Sequence, residues 1–132
     1  MKFNYKQVSR EIARPVIPIE VGYKDFFVSY EALVDSGADI CIFDAEIGEL
    51  LGIDIKAGEK KDVFGITGTS EPYYLHEVSL KVGGWPYKIK AGFLPKLGSH
   101  CSYGVVGQRG FFDIFIVKFD LIKNEIELKE RK

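Results

Sequence analysis

Sulfur and imidazole are scarce in this chain: 132 residues contain two cysteines, one methionine and two histidines. Two cysteines cannot build a disulfide framework, and the spacing of Cys41 and Cys101 matches no zinc motif. Both read as free thiols of an intracellular chain, so the expected location is cytoplasmic. His100 and Cys101 are adjacent, and neighbours on a strand point to opposite faces, which makes a loop or surface pair the better reading than a ligand pair. No metal and no cofactor is expected. A metal-dependent barrel using Asp35, Asp39 and His76 stands as a rival hypothesis without support from spacing.

Charge of one sign is missing too. Eighteen basic residues face nineteen acidic ones, for a formal net of −1, so there is no electrostatic case for nucleic acid or an anionic membrane. Lys129, Arg131 and Lys132 are interleaved with Glu127 and Glu130, as in a solvated terminus. Long apolar runs are absent: no segment approaches a membrane span, and the opening "MKFNYKQVSREIARPVIPIE" has no signal-peptide core. The length predicts a single domain over 1–132 with a core of its own.

What is present is mostly β. Strand-like runs recur as "PVIPIEV", "DFFVSYEALV", "ICIF", "DVFGI", "YYLHEVSLKV", "YKIKAGFL", "GVV", "FDIFIVKFDLI" and "EIELK". Gly, Pro, Asn or Asp punctuates most of the gaps. Many short alternating strands predict an all-β barrel or sandwich. One short helix is expected after Asp44 as its cap, with Ile47, Leu50 and Leu51 on one face and Gly52 beyond its end.

Three stretches carry the chemistry. In "ALVDSGADICIF" an apolar strand runs into Asp35-Ser36-Gly37, although an unpaired carboxylate among apolar neighbours is costly to bury. Asp, Ser and Gly are all turn formers, and alone the tripeptide reads as a plain turn. Later "DVFGITGTSEPYY" forms a hairpin-like segment whose tip, Gly65 to Gly68, is bracketed by glycines. Finally Val105-Val106-Gly107 again runs an apolar strand into glycine.

In that order the three resemble the retropepsin-like aspartic proteases, the single-lobe, retroviral-type relatives of pepsin. Asp35-Ser36-Gly37-Ala38 matches the D-[ST]-G-A turn, the segment around Gly65 to Gly68 takes the place of the flap hairpin, and Val105-Val106-Gly107 matches the apolar-apolar-Gly strand that leads into a short helix. The ending "GQRGFFDIFIVKFDLIKNEIEL" is similar to cellular, non-viral members. One departure stands out: many retroviral members carry Arg directly after that glycine, paired with an acid just past the turn. Here Gln108 follows Gly107 and the arginine is Arg109. The shift argues against an Asp39–Arg109 bridge, and leaves Asp39 to contact substrate backbone or to cap the turn.

The resemblance implies a closed acid-protease-type barrel with a flap hairpin and one or two short helices. It implies an endopeptidase in which Asp35, Ser36 and Gly37 form the catalytic turn. Asp39, Gly65, Ile66 and Val105 would contact a peptide or protein substrate. Two carboxylates must act on one water, yet the chain holds a single such turn, so the second would come from a partner in a homodimer. The apolar surroundings of Asp35 would hold the shared proton, and "MKFNYK" and "EIELK" are candidate strands for a dimer sheet. The alternative is a non-catalytic peptide- or ligand-binding module on the same fold.

Overall fold

The computed structural model describes residues 1–64, 68–95 and 103–131. Three short strands come first: β1 (Lys2–Asn4), β2 (Lys6–Gln7) and β3 (Ala13–Arg14). β4 (Val16–Tyr23), β5 (Phe26–Val34) and β6 (Cys41–Asp44) lead to one helix, α1 (Ala45–Leu50), and a 3-10 turn at Ile55–Ala57. Then follow β7 (Glu59–Phe64), β8 (Ser70–Val82), β9 (Trp85–Leu94), β10 (Gly104–Val106), β11 (Phe115–Asp120) and β12 (Glu125–Glu130).

Alternation builds the core. Ile17, Ile19 and Val21 of β4, Val78, Leu80 and Val82 of β8, and Ile89, Ala91 and Phe93 of β9 are all buried in one cluster. The strands run in the order β4–β5–β10–β6–β9–β8, and the additional β4–β8 pairing closes them into a six-strand barrel. Two of its contacts are parallel, β5 with β10 and β6 with β9. Parallel neighbours need long crossovers, so the turn after β5 and the approach to β10, far apart in sequence, meet side by side. Phe43 sits edge-on between Tyr30 and Phe93, at 5.8 and 5.9 Å, on the wall that carries this junction.

The helix forms where its cap predicts, with Leu51 buried and Ile47 packed on the core as expected, but with Leu50 turned outward. Asp44 accepts the Glu46 N–H at 2.9 Å, and Gly52 follows the helix at φ 85°. Ala45, Gly48 and Leu51 face the core, whereas Leu50 is 71% exposed. The helix lies so close to Ile55 and Phe93 that a Cβ on Gly48 would stand 2.5 Å from Ile55 Cδ1. Only small side chains fit that contact, so the large Leu50 turns outward.

Two further expectations change. β12, the "EIELK" strand, is the centre of a three-stranded sheet, with β1 on one side and β11 on the other, all from the same chain. Over Glu125–Leu128 both of its hydrogen-bonding edges are taken within the chain. The short helix implied after Gly107, and the start of the "FDIFIVKFDLI" strand, are instead a run of turns. There the Phe112 and Asp113 N–H groups reach back five residues, to the carbonyls of Gly107 and Gln108, wider than the α-helical spacing of four.

Candidate active site

The alternation of β5 continues past its last residue. Val34 is buried in the core at 3% exposure, so Leu33 and Asp35 fall on the opposite face. The Asp35 N–H extends the parallel ladder by donating to the Val106 carbonyl at 3.0 Å. In β10, Val105 stands opposite Leu33 on one side and Ile42 on the other. Opposed residues share a face, which brings Asp35, Leu33, Val105 and Ile42 to one side of the sheet. Ile42 joins Tyr73 and Leu94 there in a second small apolar cluster, with Ile40 and Leu75 packed on it.

Asp35 itself is not buried. In the single chain it is half-exposed, and Ser36, Gly37 and Asp39 are exposed. Ala32 and Val34 belong to the alternating core face, while the acid stands at the rim where the strand becomes a turn. That turn is tightly made: the Ala38 N–H donates to the Asp35 carbonyl at 3.2 Å, and the Gly37 N–H to Asp35 Oδ1 at 2.8 Å. The backbone thereby fixes one carboxylate oxygen.

The segment after β10 braces the turn from the side. The Gln108 N–H donates to the Ala38 carbonyl at 2.8 Å and the Arg109 N–H to the Asp39 carbonyl at 3.0 Å. An isolated parallel bridge joins Ile40 and Arg109. Gly107 makes this approach possible, because a Cβ there would lie 2.5 Å from the Ala38 oxygen and 2.6 Å from that of Ile40. The Gln108 side chain adds a bond of its own, from Nε2 to the Ser36 carbonyl. Sequence reasoning noted Gln108 only as a departure; its signal was a side-chain amide directly after a glycine that must touch the turn.

The backbone thus couples Asp39 to Arg109, but among the described residues no ion pair joins their side chains. β7 and β8 form a hairpin from Glu59↔Leu75 to Phe64↔Ser70. Gly68, at φ 84°, lies in the connection between the two strands. Gly65 and Ile66 lie outside the described residues, as do His100 and Cys101.

A family profile described as aspartyl protease matches residues 18–109, which include the Asp35 turn, the hairpin and Val105–Gly107. The chain belongs to the aspartyl protease family. Its fold is retropepsin-like. A retropepsin-like aspartic protease from Rickettsia conorii superposes with a TM-score of 0.60 over 97% of this chain and 90% of that one, at 18% identity. EIAV protease, solved in complex with the inhibitor HBY-793, superposes with a TM-score of 0.51 over 76% of this chain and 88% of that one, at 17% identity. No curated protein matches the sequence.

Within this family fold His76 and Cys41 have structural partners. His76 Nε2 donates to the Ile55 carbonyl at 2.7 Å, and its ring stands edge-on to Phe93. Among the described residues no three His, Cys, Asp or Glu side chains converge, so His76 does not meet Asp35 and Asp39. Cys41 is fully buried, and its Sγ donates to the Arg109 carbonyl at 3.5 Å. Burial pushes its thiol up to about 12, helped by the nearby Asp113 charge and opposed by a backbone bond from Gly107. A thiol held protonated is no nucleophile. No helix of the described residues is long and apolar enough to cross a membrane.

Proposed function

We propose that this chain is an aspartic endopeptidase whose active form is a homodimer, with Asp35 of each chain supplying half of a catalytic dyad. The observation that carries this reading is the braced turn: a half-exposed carboxylate, one oxygen fixed by the Gly37 N–H, standing on the apolar face of Val105 and Ile42. A surface turn with no catalytic duty has no need of the Gly107 contact or the Gln108 bond beneath it.

The chemistry follows from two such carboxylates. One, ionised, takes a proton from the water between them as the water oxygen attacks the scissile carbonyl. The other, protonated, donates to the carbonyl oxygen as it becomes tetrahedral. Collapse breaks the C–N bond, and the proton taken from water passes to the departing amine. Like charges held close cannot both ionise easily, so the pair keeps one proton between them over a range of pH. In one chain Asp35 is open to solvent; pairing two turns across a two-fold axis would cover both acids and supply the missing carboxylate.

In this reading Ser36 and Gly37 complete the turn, with the Ser36 hydroxyl free to interlock with its mate. Asp39 contacts substrate backbone, Val105 lines the cleft, and Gly65 and Ile66 cover the peptide from the hairpin tip. The substrate binds as an extended strand with alternate side chains in pockets. A peptide-library digestion tests the whole reading: the wild type should cleave, pepstatin should inhibit it, and Asp35→Asn should be inert. Cleavage by Asp35→Asn at more than about a hundredth of the wild-type rate would remove Asp35 from the chemistry.

A further inference from the structure

A pocket of about 380 Å³ opens beside the candidate active site. Ile40, Tyr73 and Leu75 of the second apolar cluster line it. Ile40 is five residues along the chain from Asp35, so their Cα atoms lie within about 18 Å of each other. The hairpin stem forms one wall, since Lys61 of β7 stands directly opposite Tyr73 of β8. The pocket therefore lies between the strand that leaves the catalytic turn and the stem of the hairpin proposed to cover substrate.

Its rim is cationic. Lys61, Lys88, Lys90 and Arg109 are four of its eleven lining residues, in a chain where only 18 of 132 residues are basic. The opposing carboxylates are few. Asp113 is the one acid in the lining, and its Oδ1 already accepts the Gly110 N–H at 2.9 Å. Glu59 lies 3.7 Å from Lys61, and Glu77 stands across the β8–β9 pair from Lys90. Among the described residues, Lys88, Lys90 and Arg109 form no ion pair. Positive charge thus accumulates beside apolar side chains, and a carboxylate placed there meets several cations at once.

We propose that this pocket selects an acidic side chain of the peptide substrate, Glu or Asp, within about five residues of the cut. The proposal rests on the endopeptidase reading above. A glutamate suits the site: its methylenes reach Ile40, Tyr73 and Leu75 while its carboxylate meets the rim. A two-fold dimer carries one pocket on each side of the scissile bond, so an acid is favoured on either side.

The test uses matched fluorogenic peptides that differ only in one outboard position, Glu, Gln or Lys, scanned over five positions on each side of the cut. The Glu peptide should be cleaved with kcat/KM roughly five- to tenfold above its Gln twin at the responsive position. That ratio should shrink as salt rises from about 0.05 to about 0.5 M. In Lys88→Gln/Lys90→Gln the ratio should approach one, and in Lys90→Glu the Lys peptide should overtake the Glu peptide. These lysines are exposed, so the variants fold. Equal cleavage of Glu and Gln peptides at every position by an active enzyme overturns the pocket and leaves the protease reading intact. Should no peptide be cut, fluorescence anisotropy with Asp35→Asn separates the two: tighter binding of the Glu peptide upholds the pocket while the catalytic reading falls. Equal or absent binding there overturns the pocket as well.

Discussion

The side-chain amide of Gln108 donates to the backbone carbonyl of Ser36, 72 residues earlier in the chain. Among the described residues it is the one side-chain hydrogen bond between the bracing segment and the middle of the Asp35 turn. An exposed hydrogen bond of this type contributes about 1 kcal/mol or less to stability. Its value lies in holding the turn still, and small displacements of a reacting group are costly to turnover. Gln108→Ala should therefore lower kcat/KM roughly tenfold while moving the denaturation midpoint little. Parallel activity and urea-unfolding measurements check this; a large loss of stability with unchanged turnover would make Gln108 a fold residue only.

Gly107 makes the stronger demand. A methyl group there meets two backbone oxygens, of Ala38 and Ile40, at 2.5 and 2.6 Å. Backbone cannot swing aside as a side-chain tip can, so β10 and the turn must separate. Gly107→Ala should cost about 2 kcal/mol or more and should also abolish cleavage, because the separation moves Asp35. Thermal melting checks it: a midpoint within about 2 °C of wild type would show that the contact yields easily.

These two residues mark what was legible in the sequence. Asp35-Ser36-Gly37 and Val105-Val106-Gly107 are local patterns, apolar alternation ending in turn residues, and both elements stand where the pattern puts them. What Gln108 binds is set by a parallel crossover that brings residues 36 and 108 together, and no local period encodes it. The same holds for β12, whose composition marks a strand but not its neighbours; β1 and β11 fill both edges only because the chain returns there. Leu50 failed for another reason. A helix of six residues is too short for apolar spacing to choose a face, and the close approach at Gly48 decides it.

Cys41 gives a pH-dependent prediction. Its folded-state thiol is raised from an ordinary 9.0 to about 12, chiefly by burial. The fold favours the protonated form, so the thiol's contribution is complete below about pH 9, where the unfolded chain also keeps its proton. It erodes as pH climbs from there toward 12, because the unfolded state loses the proton first. Urea midpoints should fall more steeply over that window in wild type than in Cys41→Ala. Identical slopes would mean the thiol is not shielded as its burial implies. Below about pH 8, iodoacetamide should leave Cys41 unmodified in the folded protein, as read by peptide mapping.

The dimer supplies the most exposed prediction. One chain offers one Asp-Ser-Gly turn, and the hydrolysis requires two carboxylates on a single water. Specific activity should fall on dilution as dimers dissociate, with rate varying as the square of chain concentration where dimer is scarce. Asp35→Asn chains should act as dominant inhibitors: each mixed dimer carries one carboxylate and one amide, and cannot both accept and donate the protons of the reaction. Mixing wild type, at a concentration where it is fully dimeric, with a tenfold excess of mutant chain would place most wild-type chains in mixed dimers, so activity should drop by roughly tenfold once exchange is complete. Exchange itself is followed by energy transfer between differently labelled chains, which separates slow mixing from true independence. Activity that stays proportional to wild-type concentration after exchange would mean each chain works alone. The second catalytic group would then lie within one chain, and the search for it would begin on the face that Asp35 shares with Val105 and Ile42.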